Sequence, residues 1–199
     1  MRGRPKAFDR EQALDAALHV FWQQGYGATA IGDLTEAMGI GRQSLYDTYG
    51  DKHALYLEAL RRYTEMRLDA MRQTFEQPGS PVAHLRTFFA MWKEEAMSCN
   101  SGCMMVNSST EVGHVDDAVA RLIEKKMHRL EGLLQELLER ARQAGELNDA
   151  VSPRALARLI LGAAHGLAAR AHLGLDEEEI DDVLGSLLAL IEQPAAAVT

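Results

Sequence analysis

Arg42, Gln43, Ser44 and Tyr46 place a guanidinium, a carboxamide, a hydroxyl and a phenol within five consecutive positions. Such groups pair with base edges and phosphate oxygens. Grouped around one apolar residue, Leu45, they predict a short helix over 42–49 that buries Leu45 and turns its polar side outward, Tyr49 included. The second chemistry is sulfur. Cys103 precedes a short apolar-then-polar stretch, and a thiolate at a helix start is favoured by the positive end of the helix dipole. Cys99 lies four residues upstream and could resolve an oxidised Cys103 as a disulfide if the Cα atoms come within about 7 Å. The bland alternative is a buried cysteine acting as a small hydrophobe. Two thiolates with no histidine at ligand spacing do not complete a zinc sphere, so no metal is expected.

These residues need helices to position them, and the chain reads as all-α. Apolar residues at spacings of three and four predict a helix over 10–24, stopped by Gly25. Thr29 is placed to cap a second helix carrying Ile31, Leu34 and Met38, and Gly39 offers the left-handed turn before the polar helix. Asp51 caps a long fourth helix to about residue 75, with Leu55, Leu60, Tyr63, Met66 and Met71 on its stripe. QPGSP at 77–81 is the clearest break. Helices follow over 81–97, 104–111, 116–144, 153–172 and 176–192. In 155–171 apolar residues occupy nearly every side, and Leu159, Gly162 and Gly166 leave a strip where another backbone can approach. Leu184 and Leu188 repeat the theme in the last helix. A chain this short has no spare layer to cover that second side, which predicts a two-fold homodimer through these helices.

The order of pieces over residues 11–60 carries more than any one of them. GYGAT, the AMGIG turn, the SLYDTYG block and the DKHALYLEAL continuation closely resemble the DNA-binding domain of the tetracycline-repressor (TetR) family of bacterial transcription regulators. The resemblance implies a helix-turn-helix domain over 1–52, an effector-sensing and dimerisation domain over 53–199, and double-stranded operator DNA as partner. It further implies that Gln43 and Ser44 face base edges, that Arg42 and Tyr46 reach bases or phosphate, and that Thr29, Tyr49 and Lys52 anchor the DNA backbone. Gly41 departs from the family pattern, standing where many relatives carry a capping Ser or Thr; glycine is an acceptable cap. Around Cys103, SGCMMVNSSTEV resembles a branch of the family that responds to aldehydes, quinones or oxidants.

Charge agrees with one localised footprint. The first ten residues hold Arg2, Arg4, Lys6 and Arg10 against Asp9, a local +3, so with a chain total of −8 the other 189 residues carry −11. Arg2, Arg4 and Lys6 form an RGRPK arm that reads equally as a minor-groove hook or as a basic tail held by counterion release. The soft apolar residues Phe88, Trp92, Met105 and Met127 serve as core or as the wall of an effector pocket, with Asn107 and His165 as polar fixers. No cofactor and no catalytic dyad are expected. The start of the chain has no apolar run of a signal peptide, no stretch is long enough to span a membrane, and two cysteines are too few for a secreted disulfide scaffold; a cytoplasmic protein is expected. Two other readings exist: a helical thiol enzyme acting on electrophiles through Cys103, and an architectural AT-rich-DNA protein using the arm.

Overall fold

The computed structural model describes residues 8–98, 101–148, 150–170 and 173–192. Among these, every regular element is a helix: α1 (Arg10–Gln24), α2 (Ile31–Met38), α3 (Arg42–Tyr49), α4 (Lys52–Phe75), α5 (Pro81–Ser98), α6 (Met104–Glu111), α7 (Asp117–Gln143), α8 (Pro153–Arg170) and α9 (Glu177–Glu192). The ends follow local chemistry. The Asp9 carboxylate accepts from the amides of Glu11 and Gln12 at 2.9 and 3.2 Å, Asp51 accepts from Ala54 at 2.7 Å, and Asp116 accepts from Ala118 and Val119 at 2.9 and 3.1 Å. Gly39 closes α2 in the left-handed region at φ 63°, where its amide and that of Ile40 satisfy the last carbonyls.

Three sequence expectations need correction here. Thr29 does not cap α2: its hydroxyl donates to the Gly25 carbonyl at 2.6 Å and the side chain is buried, while Ala30 holds the cap position. The freed start of α2 is tied instead by Asp33, which accepts from the Ala30 amide at 2.8 Å. Met66 stands off the buried stripe of α4 and is 56% exposed. Leu184 belongs to the core of this chain rather than to an outer face.

α4 is the shared beam. With 24 residues it extends about 36 Å at 1.5 Å per residue. Arg10–Glu58 and the paired Arg62–Asp15 contacts tie α1 to it, whereas Glu65 holds Lys126 and Arg129 of α7 and the Phe75 carbonyl accepts from Arg140 at 2.8 Å. Leu55, Tyr56, Leu60, Tyr63 and Leu68 run along it through the core. On the far side, α8 buries Leu156, Ala157 and Ile160 and leaves Leu159 47% exposed. Gly162 and Gly166 open onto empty space, with nothing within 4 Å of an added Cβ. Leu188 of α9 is half-buried against the core.

Candidate nucleic-acid interface and effector cavity

α3 is seated by two residues and offers the rest of its surface. Leu45 and Tyr49 are buried against α1, α2 and α4; Arg42, Gln43, Tyr46 and Asp47 are exposed, and Ser44 is half-buried. Gln43 Nε2 donates to Asp47 Oδ1 at 2.8 Å, one turn along, which orients the carboxamide and leaves its oxygen side outward. Asp47 was not singled out in the sequence; the i, i+4 spacing to Gln43 was the available signal.

Tyr49 corrects the expectation of an outward anchor. Its hydroxyl donates to the Arg10 carbonyl at 2.9 Å, and the Arg10 guanidinium lies 5.1 Å from its ring centroid. Burial pushes this phenol up, with Arg10 opposing and Glu58 adding to the shift. Tyr49 therefore holds α3 to α1 instead of facing solvent. Lys52, at the first turn of α4, is half-buried with its ammonium 4.6 Å from the Tyr26 ring centroid. That contact holds the charge at the start of α4, where the Asp51 carboxylate already takes the Ala54 amide. Arg2, Arg4 and Lys6 lie outside the described residues.

Behind this domain, between α4, α5, α6, α7 and α8, is a cavity of about 140 Å³. Phe88, Trp92, Met105, Cys103 and His165 line it, as the sequence suggested. Asn107 does not: its amide donates to the Ser101 carbonyl at 2.7 Å and fixes the turn before α6. Met127 is half-buried against the core elsewhere. Among the described residues, the wall's full charges are Arg67 and Glu95, which form an ion pair with each other, and burial pushes the His165 imidazole down toward its neutral form. The cavity thus suits an uncharged, apolar guest. Cys103 is the N-cap residue of α6, and its sulfur accepts from the Tyr63 hydroxyl at 3.6 Å. Burial pushes the Tyr63 phenol well up, so it stays a proton donor in this contact. Cys99 lies outside the described residues, as does any pairing with it. Among the described residues no three His, Cys, Asp or Glu side chains converge into a metal-binding group.

α6 and the residues flanking it join cavity and DNA-facing domain at four points invisible in the sequence. The Gly102 carbonyl, next to Cys103, accepts from Trp22 Nε1 of α1 at 2.8 Å. The Ser108 hydroxyl accepts from Tyr56 of α4 at 2.6 Å; burial first, with this bond opposing, pushes the Tyr56 phenol up to about 12. The Glu111 carboxylate accepts from the amides of Tyr26 and Gly27 at 3.0 and 2.7 Å, in the loop between α1 and α2. Just beyond α6, Asp116 pairs with His53 of α4 at 2.6 Å. These contacts tie α6 and its flanks to α1, α4 and the loop before α2.

The comparisons with known proteins agree with this architecture. A model described as bacterial regulatory proteins, tetR family, matches residues 13–59, and one described as tetracyclin repressor-like, C-terminal domain, matches residues 81–187. The chain is 33% identical over 197 residues to an uncharacterized HTH-type transcriptional regulator, YezE, of Bacillus subtilis (strain 168), covering 96% of this chain and 100% of that protein. It is 31% identical over 193 residues to the HTH-type transcriptional repressor ComR of Escherichia coli (strain K12), covering 95% and 91% respectively. Among solved structures, a cysteine mutant of the TetR family regulator CifR, complexed with 26-bp double-strand operator DNA, superposes with a TM-score of 0.82 at 26% identity, covering 95% of this chain and 100% of that one.

Proposed function

The chain belongs to the tetracycline-repressor family of bacterial transcription regulators, and on that premise we propose a homodimeric repressor released from an inverted-repeat operator by a small apolar effector at Cys103. The observation that carries this reading is the polar face of α3 standing outward on an apolar seat while α6 links that seat to a largely apolar cavity. Residues 1–52 act as the DNA-binding part and 53–199 as the sensing and dimerising part, with α4 mechanically in both. Gln43 and Ser44 read base edges, Arg42 and Tyr46 reach bases or phosphate, and the Arg2, Arg4 and Lys6 arm lies against the duplex. Two-fold pairing sets the recognition helices about one helical turn of DNA apart, roughly 34–36 Å, which is why the operator is an inverted repeat. No helix of the described residues is long and apolar enough to cross a membrane, and a regulator of this kind works where the DNA is, in the cytoplasm. The named relatives are regulators, which weighs against a thiol enzyme. The decisive experiment is a mobility shift with the DNA upstream of the protein's own gene; no retarded band at low salt with purified dimer would sink the reading.

Lys52 contributes general affinity. Lys52→Ala should weaken binding to operator and unrelated duplex alike, and should reduce the slope of log K against log salt by roughly one. An unchanged slope would remove Lys52 from the phosphate contacts.

The open strip on α8 carries the dimer. Gly166→Arg adds a guanidinium where the isolated chain has free space, and Arg is a better helix residue than Gly by up to ~1 kcal/mol, so the protomer should fold. In a closely packed seam the same charge is costly. Sedimentation should show a helical monomer for the variant and a dimer for the wild type. A monomeric wild type at micromolar concentration, or an unaffected dimer in the variant, would overturn the assignment.

A further inference from the structure

The DNA-binding and effector reading leaves one strongly charged feature unused. Between α4 and α7 runs a groove of about 490 Å³ lined by Arg61, Glu65, Arg121, Lys125, Lys126 and Arg129 over a floor of Ala118 and Leu122. Five cations against one carboxylate is a local +4 in a chain whose total is −8. Glu65 is already engaged: Lys126, whose side chain is only 8% exposed, and Arg129, at 3.3 Å, both hold it. Lys126 first, and Arg129 with it, hold the Glu65 carboxyl below the ordinary carboxylate range. Arg121 has a loose contact of 3.6 Å to Asp117, itself 92% exposed, and among the described residues neither Arg61 nor Lys125 has an ion-pair partner. Three basic side chains with no ion pair closer than 3.6 Å among the described residues line one concave wall of an acidic protein, an arrangement that favours an anion among them.

We propose that the α4–α7 groove is a binding site for a small anion bearing a diphosphate or triphosphate group, held by Arg61 from α4 and by Arg121 and Lys125 from α7. Guanidinium groups match phosphate oxygens two at a time, while Lys125 adds a point charge. The α4 end of the groove does not belong to the DNA face. Arg61 is nine residues along α4 from Lys52, about 14 Å farther up the helix axis. Nor do the faces of α8 and α9 assigned to the partner subunit contribute a residue to it, so it stays open in the dimer. An anion bridging the two helices ties α4 to α7 and so biases the element that carries α3; this second consequence rests on the operator-binding reading, whereas the binding itself does not.

The test uses the full chain without DNA. Thermal melting is followed as inorganic pyrophosphate is added at ionic strength held constant with sodium chloride. The expected result is a saturable rise in Tm of the wild type, since a ligand that binds only the folded state stabilises it with concentration. Arg121→Gln/Lys125→Gln, two exposed positions on one face of α7, should keep native circular dichroism and lose the rise, and Arg61→Gln should diminish it from the α4 side. No rise beyond that of chloride, an equal rise in the double variant, or an equal rise with citrate would each overturn the proposal. A mobility shift with and without pyrophosphate then reads the regulatory consequence; its failure alone would refute the coupling, while the melting result stands or falls by itself.

Discussion

Gln43→Ala should lower operator affinity by about 1–3 kcal/mol, a loss of roughly 5- to 150-fold, and flatten discrimination at one base position of each half-site. The reasoning is geometric. α3 is fixed on its inner side by Leu45, fully buried, and by the Tyr49 hydroxyl on the Arg10 carbonyl. Its outer side can therefore meet a groove without rearranging, and an oriented carboxamide presents its hydrogen-bonding edge at no extra ordering cost. Asp47 does the orienting, at 2.8 Å. Tyr49→Phe supplies the contrast: it should lower stability by about 1 kcal/mol through the lost inner hydrogen bond while leaving the order of preference among operator variants intact. Affinities measured on an operator library would show the two patterns apart. Unchanged affinity and preference in Gln43→Ala would remove that residue from base recognition.

What could be read in advance divides along the range of the interactions. Caps and breaks act over three or four residues, so Asp51 before α4 and the glycine after α2 were legible from spacing alone. Thr29 misled because its hydroxyl had two local choices, and donating to the Gly25 carbonyl four residues back won over accepting from the amides at the start of α2. Tyr49 misled for a different reason: its partner is 39 residues away on α1, and no pattern within α3 encodes it. The α6 contacts belong to the same class, since the Glu111 carboxylate meets amides 84 and 85 residues distant. In the cavity, residue type could not separate wall from core. Met105 and Met127 are chemically identical, and only packing puts one at the cavity and the other away from it. Leu184 and Leu159 show the limit for the last two helices: an apolar arc wide enough to bury both sides does not say which leucine turns inward.

Cys103→Ser should abolish release from the operator by an electrophile, where the wild type should lose affinity by about 5- to 150-fold, the range of a typical coupling free energy. On the proposed reading, the cavity would bring an uncharged α,β-unsaturated carbonyl or quinone against the sulfur, with Arg67 and Glu95 neutralising each other and burial pushing the His165 imidazole toward its neutral form. The thiolate forms a C–S bond at the β carbon, the π pair moves onto the carbonyl oxygen, and the proton given up by the thiol returns to the α carbon through solvent. The adduct occupies space at the N-cap of α6, where Tyr63 already contacts the sulfur at 3.6 Å in a packed wall. The expected result is that α6, the short element, shifts to make room for whatever part of the adduct the cavity does not hold. Its displacement loads the Gly102–Trp22, Ser108–Tyr56 and Glu111–Tyr26 contacts together, turning the first three helices relative to their partner's and spoiling simultaneous contact with both half-sites. Glu111→Gln separates chemistry from transmission: the adduct should still form by mass spectrometry, while release should weaken because an amide holds the two loop N–H groups less strongly than a carboxylate. Equal release of wild type and Cys103→Ser, or no release of the wild type by aldehyde, quinone or hypochlorite, would return Cys103 to the role of a core residue and leave the cavity to a non-covalent guest.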